Sequence, residues 1–220
     1  MTIYDQLLQF TLFQGMSHAD LMEVVTHTKL GFSKLPANKR LVSEGDSCES
    51  LIFLISGTLE ASTESDDRQC RVVEALKAPY VVQPSHIFGV AQRYSSSFKT
   101  LEPCHFITID KQEVMLLIET QLVFRLNLIN LLANEIHRLR RQPQRTAPKT
   151  LRERLTRFFF ARCLYPAGPK TIHMLMSQLG QELNDSRLDI SRALNAMQRD
   201  GLLTLHRGRI EIPQLERLLM

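Results

Sequence analysis

Residues 174–212 carry the pattern that most narrows what this chain can fold into. Leucines four residues apart predict one face of a short helix that ends at Leu183. Asn184-Asp185 then predicts a tight turn, because asparagine tolerates the left-handed backbone conformation. Ser186 and Asp189, three residues apart, form a capping pair that predicts the start of a second helix. Helix, tight turn and capped helix in this order predict a helix-turn-helix.

The second helix has an apolar side and a polar side. Its apolar stripe suits a domain core, whereas the N-terminal part of its outward side carries two arginines. A helix presented tip first in this way fits the major groove of DNA, where arginine binds guanine O6 and N7 with two parallel hydrogen bonds. The candidate DNA-contacting residues of this helix are Ser186, Arg187, Leu188, Ser191 and Arg192.

A β-hairpin is predicted after the second helix. Leu202–His206 and Arg209–Ile212 alternate in polarity around the turn Arg207-Gly208. A basic hairpin tip is suited to contact with DNA phosphates, as the wing of a winged helix. The candidate wing residues are His206, Arg207 and Arg209. A helical hairpin with an ordinary solvated charged face is the alternative interpretation.

Charge is distributed unevenly along the chain. From Pro143 onward there are 13 basic and 7 acidic residues, whereas the residues before it hold 14 and 16. A positive C-terminal third is typical of a domain that meets a polyanion. A merely basic surface is the alternative, so charge alone does not decide between the two.

The N-terminal half predicts many short β-strands. Apolar and β-branched runs are separated by turn residues such as Gly45 and Gly57, a pattern typical of an antiparallel roll, barrel or sandwich. A short helix at residues 20–28 precedes these runs. The predicted strands lie at residues 39–42, 50–55, 58–61, 72–73, 80–82 and 105–109.

The apolar period changes at Asp110. Asp110 and Glu113 predict a helix start, and the helix should run unbroken over about 48 Å and stop before Pro143. Two apolar stripes on different faces favour a dimerisation helix over a simple core helix. The first stripe, the predicted dimer seam, is Ile118, Leu122, Arg125, Ile129, Leu132, Ile136 and Leu139. The second, predicted to cover the β-domain, is Val114, Leu117, Phe124, Leu128 and Leu131.

The predicted fold class is α+β in four parts. Residues 1–110 form an antiparallel β-roll domain, residues 111–142 a dimerisation helix, residues 143–150 a proline-containing hinge, and residues 151–220 a winged helix-turn-helix.

Other functional classes find little support. The chain has no GxSxG, P-loop, HExxH or GxGxxG motif, so we expect no enzyme activity. No stretch approaches the about 20 apolar residues of a membrane span, and no signal peptide is evident, so we expect no membrane partner and a cytoplasmic location. The seven histidines show no metal-ligand spacing, although haem stays open. We expect buried, reduced thiols at Cys48, Cys70, Cys104 and Cys163.

The chain resembles the CRP/FNR family, named for the cyclic-AMP receptor protein and the fumarate–nitrate regulator. The order of parts is the same over essentially the whole chain: a β-roll related to cyclic-nucleotide-binding domains, a long dimer helix and a winged helix. The matching segments are Leu41–Asp46, Leu51–Glu60, Ile87–Gly89 and Ser186–Arg192. The resemblance implies a homodimer that binds an inverted repeat in double-stranded DNA to regulate transcription, with Arg187 and Arg192 as base readers. It also allows RNA polymerase as a partner.

Two departures from the family pattern stand out. Leu188 occupies a position where the family often carries an acidic base reader. Val90 follows Phe88-Gly89 where cyclic-AMP binders carry a ribose-binding Glu, and Tyr94-Ser95 aligns with their phosphate-binding Arg-Ser pair. Arg93 lies one residue away. The candidate effector pocket is Phe88, Gly89, Val90, Arg93, Tyr94 and Ser95.

These departures predict that the roll does not use cyclic AMP, because the phosphate would lose its strongest charge-assisted partners. The effector stays unknown, and the cysteine cluster of iron–sulfur members is missing. A ligand-binding or interaction protein that does not read DNA is the alternative function.

Overall fold

The computed structural model describes residues 2–141 and 148–219, with the backbone alone for residues 138–141. The described residues form two compact units. The first unit consists of residues 2–59 and 76–141, and the second consists of residues 60–75 and 148–219. Residues 143–147 of the predicted hinge lie outside the described residues.

An antiparallel sheet of four strands forms one layer of the first unit, in the order β1-β8-β3-β6. β3 and β8 occupy the centre, and Leu51 and Phe53 of β3 pair with Ile109 and Ile107 of β8. All four side chains are buried, which explains why these strands read as apolar runs. The strands are β1 (Leu30–Leu35), β3 (Ser50–Ser56), β6 (Tyr80–Val82) and β8 (Cys104–Asp110).

Two further strands, β2 (Arg40–Val42) and β7 (Ser97–Thr100), pair antiparallel in the same unit. Short helices precede the sheet: α1 (Ile3–Leu7), a 3₁₀ turn (Thr11–Phe13) and α2 (His18–His27), and a second 3₁₀ turn spans Pro84–Ile87. The predicted antiparallel β-domain is thereby confirmed.

The predicted unbroken helix over residues 111–142 is wrong. The structure has α3 (Lys111–Thr120) and α4 (Leu122–Arg141), with a bend of 113° between α3 and the Leu122–His137 part of α4. Gln121 breaks the helix with an extended backbone (φ −111°, ψ 97°), and its buried side chain donates a hydrogen bond to Glu23 Oε2 at 3.0 Å. Apolar spacing continues across the break, so periodicity does not reveal it.

The predicted helix start is also different in detail. Asp110 is the N-cap residue of α3, but its side chain makes no capping hydrogen bond. Glu113 Oε2 instead accepts a hydrogen bond from the backbone N–H of Lys29 at 3.2 Å. The pair therefore marks the helix boundary without forming a capping box.

The break divides the predicted dimer seam. Ile118 lies on α3, so its inclusion in one straight seam with α4 was wrong. On α4, Leu122, Ile129 and Ile136 are 56%, 55% and 51% exposed, Arg125 is exposed and Leu132 is half-buried. The side chain of Leu139 lies outside the described residues. In the second stripe Val114, Leu117, Phe124 and Leu128 are buried, as predicted, and Leu131 is half-buried.

No single described helix has the length and apolar composition to cross a membrane. α3 and the Leu122–His137 part of α4 have that length and composition only when they are taken together, across the bend between them.

The second unit contains the C-terminal helices and a five-strand antiparallel arrangement in the order β10-β11-β9-β5-β4. Its helices are α5 (Leu151–Ala161), α6 (Met176–Leu183) and α7 (Arg187–Arg199), followed by a 3₁₀ helix (Leu215–Leu219). Its strands are β4 (Thr58–Glu64), β5 (Arg71–Lys77), β9 (Lys170–His173), β10 (Thr204–His206) and β11 (Arg209–Ile212). Of β4 and β5, only the part within residues 60–75 belongs to this unit.

A buried ion pair joins the β4–β5 hairpin to the start of β9. Lys170 Nζ lies 2.9 Å from Glu74 Oε1, and neither side chain is exposed. The Glu74 carboxylate also accepts hydrogen bonds from the backbone N–H groups of Leu164 and Tyr165, at 2.7 and 3.1 Å. Lys170 donates to Ala167 O at 2.8 Å. These bonds offset the desolvation of both charges, which a bare pair would not do.

The four cysteines are free and buried, as predicted. Burial raises the pKa of each thiol, and it raises the pKa of Cys163 to about 12, so these groups stay protonated at neutral pH. Cys70 and Cys163 belong to the apolar core of the second unit.

Candidate nucleic-acid interface

The turn between α6 and α7 fixes the direction in which α7 leaves the domain core. Asn184 has the predicted left-handed conformation (φ 52°, ψ 50°). Asp185 N–H donates to Gly180 O at 2.9 Å, and a β-carbon on Gly180 would lie 2.8 Å from Asp185 O. Only glycine allows this close approach between α6 and the turn. Arg154 pairs with the Asp185 carboxylate and donates to Leu183 O at 3.1 Å, which ties the turn to α5.

The N-terminus of α7 is capped as the sequence predicts. Ser186 Oγ accepts a hydrogen bond from Asp189 N–H at 3.1 Å and donates one to Asp189 Oδ2 at 2.6 Å. Ile190, Leu194 and Met197 form the inward face and are fully buried. α7 is therefore held at its start and along one side, which leaves its opposite face to solvent.

The outward face of α7 combines basic, apolar and amide side chains. Arg187 and Leu188 are exposed in the first turn, and Arg192 follows, 71% exposed with its guanidinium 3.4 Å from Asp189 Oδ1. Asn195 and Arg199 continue this exposed face. Sequence reasoning missed the last two, although their spacing of three and seven residues from Arg192 could have placed them there.

The wing forms at the predicted position. β10 and β11 pair with Leu205 opposite Ile210, and Gly208 closes the turn with a left-handed φ of 69°. His206 Nε2 and Arg209 lie 3.3 and 3.1 Å from the two Glu211 oxygens. Arg207 at the tip is exposed and makes no ion pair within the described part of the chain. Of the three basic wing residues, Arg207 is thus the one without an acidic partner in the part of the chain that the structure describes.

A cleft of about 430 Å³ separates the wing from the start of α7. Arg187 from the helix and Arg207 from the wing both line it, although they are far apart in sequence. Like Arg207, Arg187 has no ion pair among the described residues. The remaining lining residues are Met174, Leu175, Met176, Ser177, His206, Gly208, Arg209 and Ile210.

The other predicted DNA contacts have partners inside the protein. Ser186 Oγ is used by the cap, and Ser191 is half-buried with its hydroxyl accepting from Asn195 Nδ2 at 3.3 Å. His206 and Arg209 face Glu211. The structure thus brings Arg187, His206, Arg207 and Arg209 together at one cleft and leaves Leu188 and Arg192 on the adjoining helix face.

The predicted effector loop in the first unit is paired with the chain itself. Tyr94 exchanges backbone hydrogen bonds with residues of the Gly45 turn, donating to Asp46 O at 3.0 Å and accepting from Gly45 N–H at 2.8 Å. Arg93 turns its guanidinium to Gly45 O at 2.7 Å. Tyr94 is 3% exposed, and burial raises the pKa of its phenol well above the usual range.

A buried glutamine occupies the polar groups at the end of this loop. Gln83 Nε2 donates to Ser95 Oγ at 2.8 Å and to Ser96 Oγ at 3.2 Å, and Gln83 Oε1 accepts from Ser95 N–H at 3.0 Å. Gln83 itself adopts a left-handed φ of 38° and is 6% exposed. The Gln83 amide therefore already bonds the Ser95 N–H and hydroxyl, the groups that an anionic ligand at Ser95 would need.

The rest of the loop offers no replacement for the missing carboxylate. Val90 is fully exposed, and Gly89 beside it is exposed as well. Phe88 is half-buried under Lys111, whose ammonium lies 5.4 Å from the ring centroid and 2.6 Å from Gln92 Oε1.

Comparison with protein families identifies both domains. Residues 32–121 match the cyclic nucleotide-binding domain, and residues 153–220 match the Crp-like helix-turn-helix domain. The chain is therefore a two-domain protein of the class that joins a cyclic-nucleotide-type roll to a helix-turn-helix. It belongs to the CRP/FNR family of transcription regulators, as its sequence indicates.

Solved structures with the same fold cover nearly the whole chain. The catabolite activator protein of Thermus thermophilus is 18% identical, with a TM-score of 0.54 over 96% of this chain and 97% of its own. A candidate Crp/Fnr regulator from Eubacterium rectale is 18% identical, with a TM-score of 0.53 and the same coverage. The c-di-GMP-responsive regulator CLP of Xanthomonas campestris is 18% identical, with a TM-score of 0.50 over 89% and 99%. No curated protein matches this sequence significantly.

Proposed function

We propose that this chain is a DNA-binding transcription regulator that binds an inverted-repeat operator as a homodimer, without depending on cyclic AMP. The observation that carries the proposal is the cleft beside the exposed face of α7, which is lined by both Arg187 and Arg207, two arginines without an ion pair among the described residues. Neither arginine forms an ion pair in the described chain. Arg187 lies in the first turn of α7 and Arg207 at the tip of the wing, the two elements through which a winged helix contacts bases and phosphates.

Recovery of bound DNA from a randomised pool tests the proposal. A two-fold dimer with one recognition helix per subunit should select an inverted repeat with half-sites about 34 Å, one helical turn, apart. Arg187→Ala and Arg192→Ala should each weaken binding by about 1–3 kcal/mol and relax the selected sequence. If no sequence is enriched above the input pool, the alternative of an interaction protein that does not read DNA replaces this one.

The homodimer is supported by the exposed apolar stripe on α4. Leu122, Leu126, Ile129 and Ile136 are each about half exposed, at successive spacings of four, three and seven residues along one helix. Such a stripe is what a helix needs to pack along a second copy. Ile129→Asp combined with Leu132→Asp would bury two carboxylates at that interface without partners, at a cost of several kcal/mol.

Light scattering at micromolar concentration should give a dimer mass for the wild type and a monomer mass for this double variant. Asn130→Asp, an exposed position on the same helix, controls for added negative charge and should stay dimeric. A monomeric wild type would contradict the role of the stripe.

Independence from cyclic AMP is supported by the way the loop is paired. Arg93 is held by Gly45 O, and the Ser95 N–H and hydroxyl are held by Gln83. A cyclic-nucleotide phosphate would therefore have to displace existing hydrogen bonds, and residues 83–95, all of them described, hold no carboxylate for the ribose. Calorimetric titration should show no binding at micromolar cyclic AMP, whereas a micromolar or tighter constant would contradict this part of the proposal.

A further inference from the structure

Leu188 is an apolar side chain at the tip of an otherwise polar helix face. It is 59% exposed in the first turn of α7, directly after Arg187. Arg192 and Asn195, which follow on the same face, are polar. Leu188 is neither part of the apolar core of the second unit nor among the side chains packed against it, so core packing does not account for an apolar residue here.

The carboxylates near this tip are already engaged. Asp189 is used by the Ser186 cap and lies 3.4 Å from the Arg192 guanidinium. Asp185 is paired with Arg154. In the major groove, recognition of cytosine relies on a carboxylate that accepts from its N4 amino group. The described tip of α7 therefore offers arginine donors and an apolar surface, but no free carboxylate for cytosine.

Among the four base pairs, only those containing thymine present an apolar group, the C5-methyl, in the major groove. A leucine placed over any other base edge would cover polar groups and leave them unsatisfied. We infer that Leu188 is a specificity-determining residue that packs on a thymine methyl in each half-site, beside the base contacted by Arg187. This inference rests on the proposed function, because it requires α7 to enter the major groove.

Replacement of thymine by deoxyuridine tests the inference, since it removes the methyl group and leaves every hydrogen-bonding group in place. The best DNA site recovered from the randomised pool is synthesised with each symmetric pair of thymines changed in turn. Removing one buried methyl group should weaken DNA binding about fourfold. Removing both methyl groups, one in each half-site, should weaken it about fifteenfold. Wild type should show this loss at one pair of thymines.

Leu188→Ala should bind the thymine and deoxyuridine sites equally at that pair, because the side chain that senses the methyl is gone. Leu219→Ala, a 66% exposed leucine on the C-terminal 3₁₀ helix, is the matched control and should behave as wild type. Leu188→Glu should introduce a carboxylate at the tip and change the base selected at this position from thymine to cytosine. Leu188 is exposed, so far-ultraviolet circular dichroism should show all three variants folded.

The outcomes separate the two claims. If wild type selects an inverted repeat but no deoxyuridine pair distinguishes it from Leu188→Ala, the methyl contact is overturned while the proposed function stands. If Leu188→Glu selects the same sequence as wild type, Leu188 does not determine specificity. If no DNA sequence is enriched at all, the proposed function fails and the thymine contact fails with it.

Discussion

The loop of residues 83–95 in the first unit and the cleft beside α7 in the second differ in how their arginines are placed. In the loop, Arg93 donates to a backbone carbonyl 2.7 Å away, and a buried glutamine holds the neighbouring serines. In the cleft, Arg187 and Arg207 have no ion pair within the described chain. The first region satisfies its own polar groups, whereas the second leaves charge available for a partner.

This difference distinguishes a structural polar network from a binding surface. A group that is already hydrogen-bonded gains little from a ligand, because the ligand must first replace existing bonds. An unpaired surface arginine has only bound water to exchange for a phosphate or a base. The pair of Glu74 and Lys170 is the extreme of the structural kind, because both charges are removed from water and every bond is internal.

Breaking the buried ion pair should give the largest effect on stability. Lys170→Met leaves the Glu74 carboxylate buried beside only two backbone N–H groups, and it should lower the free energy of unfolding by about 3–5 kcal/mol. Urea denaturation followed by circular dichroism measures the change. Adding Glu74→Gln should recover much of the loss, because the buried charge is removed. A loss below about 1 kcal/mol in the single variant would show that the pair does not hold the hairpin.

Removing the glutamine that fills the loop should have a smaller effect. Gln83→Ala deletes three hydrogen bonds and leaves the buried Ser96 hydroxyl without this donor, which should cost about 1–3 kcal/mol. Gln112→Ala, an exposed glutamine on α3, should change the unfolding midpoint little. The contrast between the two regions would be contradicted if Gln83→Ala left stability unchanged and allowed cyclic AMP to bind. Gln83 would then be blocking a functional ligand pocket.

The smallest expected effect concerns His173 on β9. Burial and the nearby Arg71 and Arg209 lower the pKa of its imidazole. The unfolded chain therefore takes up the proton first as the pH falls, so stability is full above the unfolded value of 6.5 and declines below it. His173→Gln should reduce the fall in melting temperature between pH 7.5 and 5. His27→Gln, which removes an exposed imidazole, should not; equal slopes in both variants would contradict the assignment.

The helix-turn-helix was predictable because its signals are local. Ser186, Asp189 and Asn184 act through caps and turns within a few residues, and all three adopt the predicted roles. Long-range pairing was not predictable in this way. The break at Gln121 depends on Glu23, which is distant in sequence, and the internal pairing of Ser95 depends on Gln83 folding back in a left-handed conformation.

The same limit applied to the candidate site. Charge and spacing identified Arg187 and Arg207, but only the fold places them in one cleft. Equally, nothing in the sequence indicated that Glu211 would pair with His206 and Arg209. Arg207 is then the wing cation that has no ion pair among the residues that the structure describes.

The salt dependence of DNA binding tests the central claim most directly. Affinity of the wild type, Arg187→Ala, Arg207→Ala and Arg217→Ala is measured by fluorescence anisotropy on the selected site and on a scrambled site, from about 50 to 200 mM salt. Arg207→Ala should weaken binding to both sites alike and reduce the salt slope by about one unit, because it removes a phosphate contact.

Arg187→Ala should lose about 1–3 kcal/mol on the selected site and much less on the scrambled one. Arg217→Ala, which removes the same charge from the 3₁₀ helix packed on α5, should resemble wild type. Affinity and selectivity that stay unchanged in both Arg187→Ala and Arg207→Ala would contradict the assignment of this cleft as the DNA-reading surface.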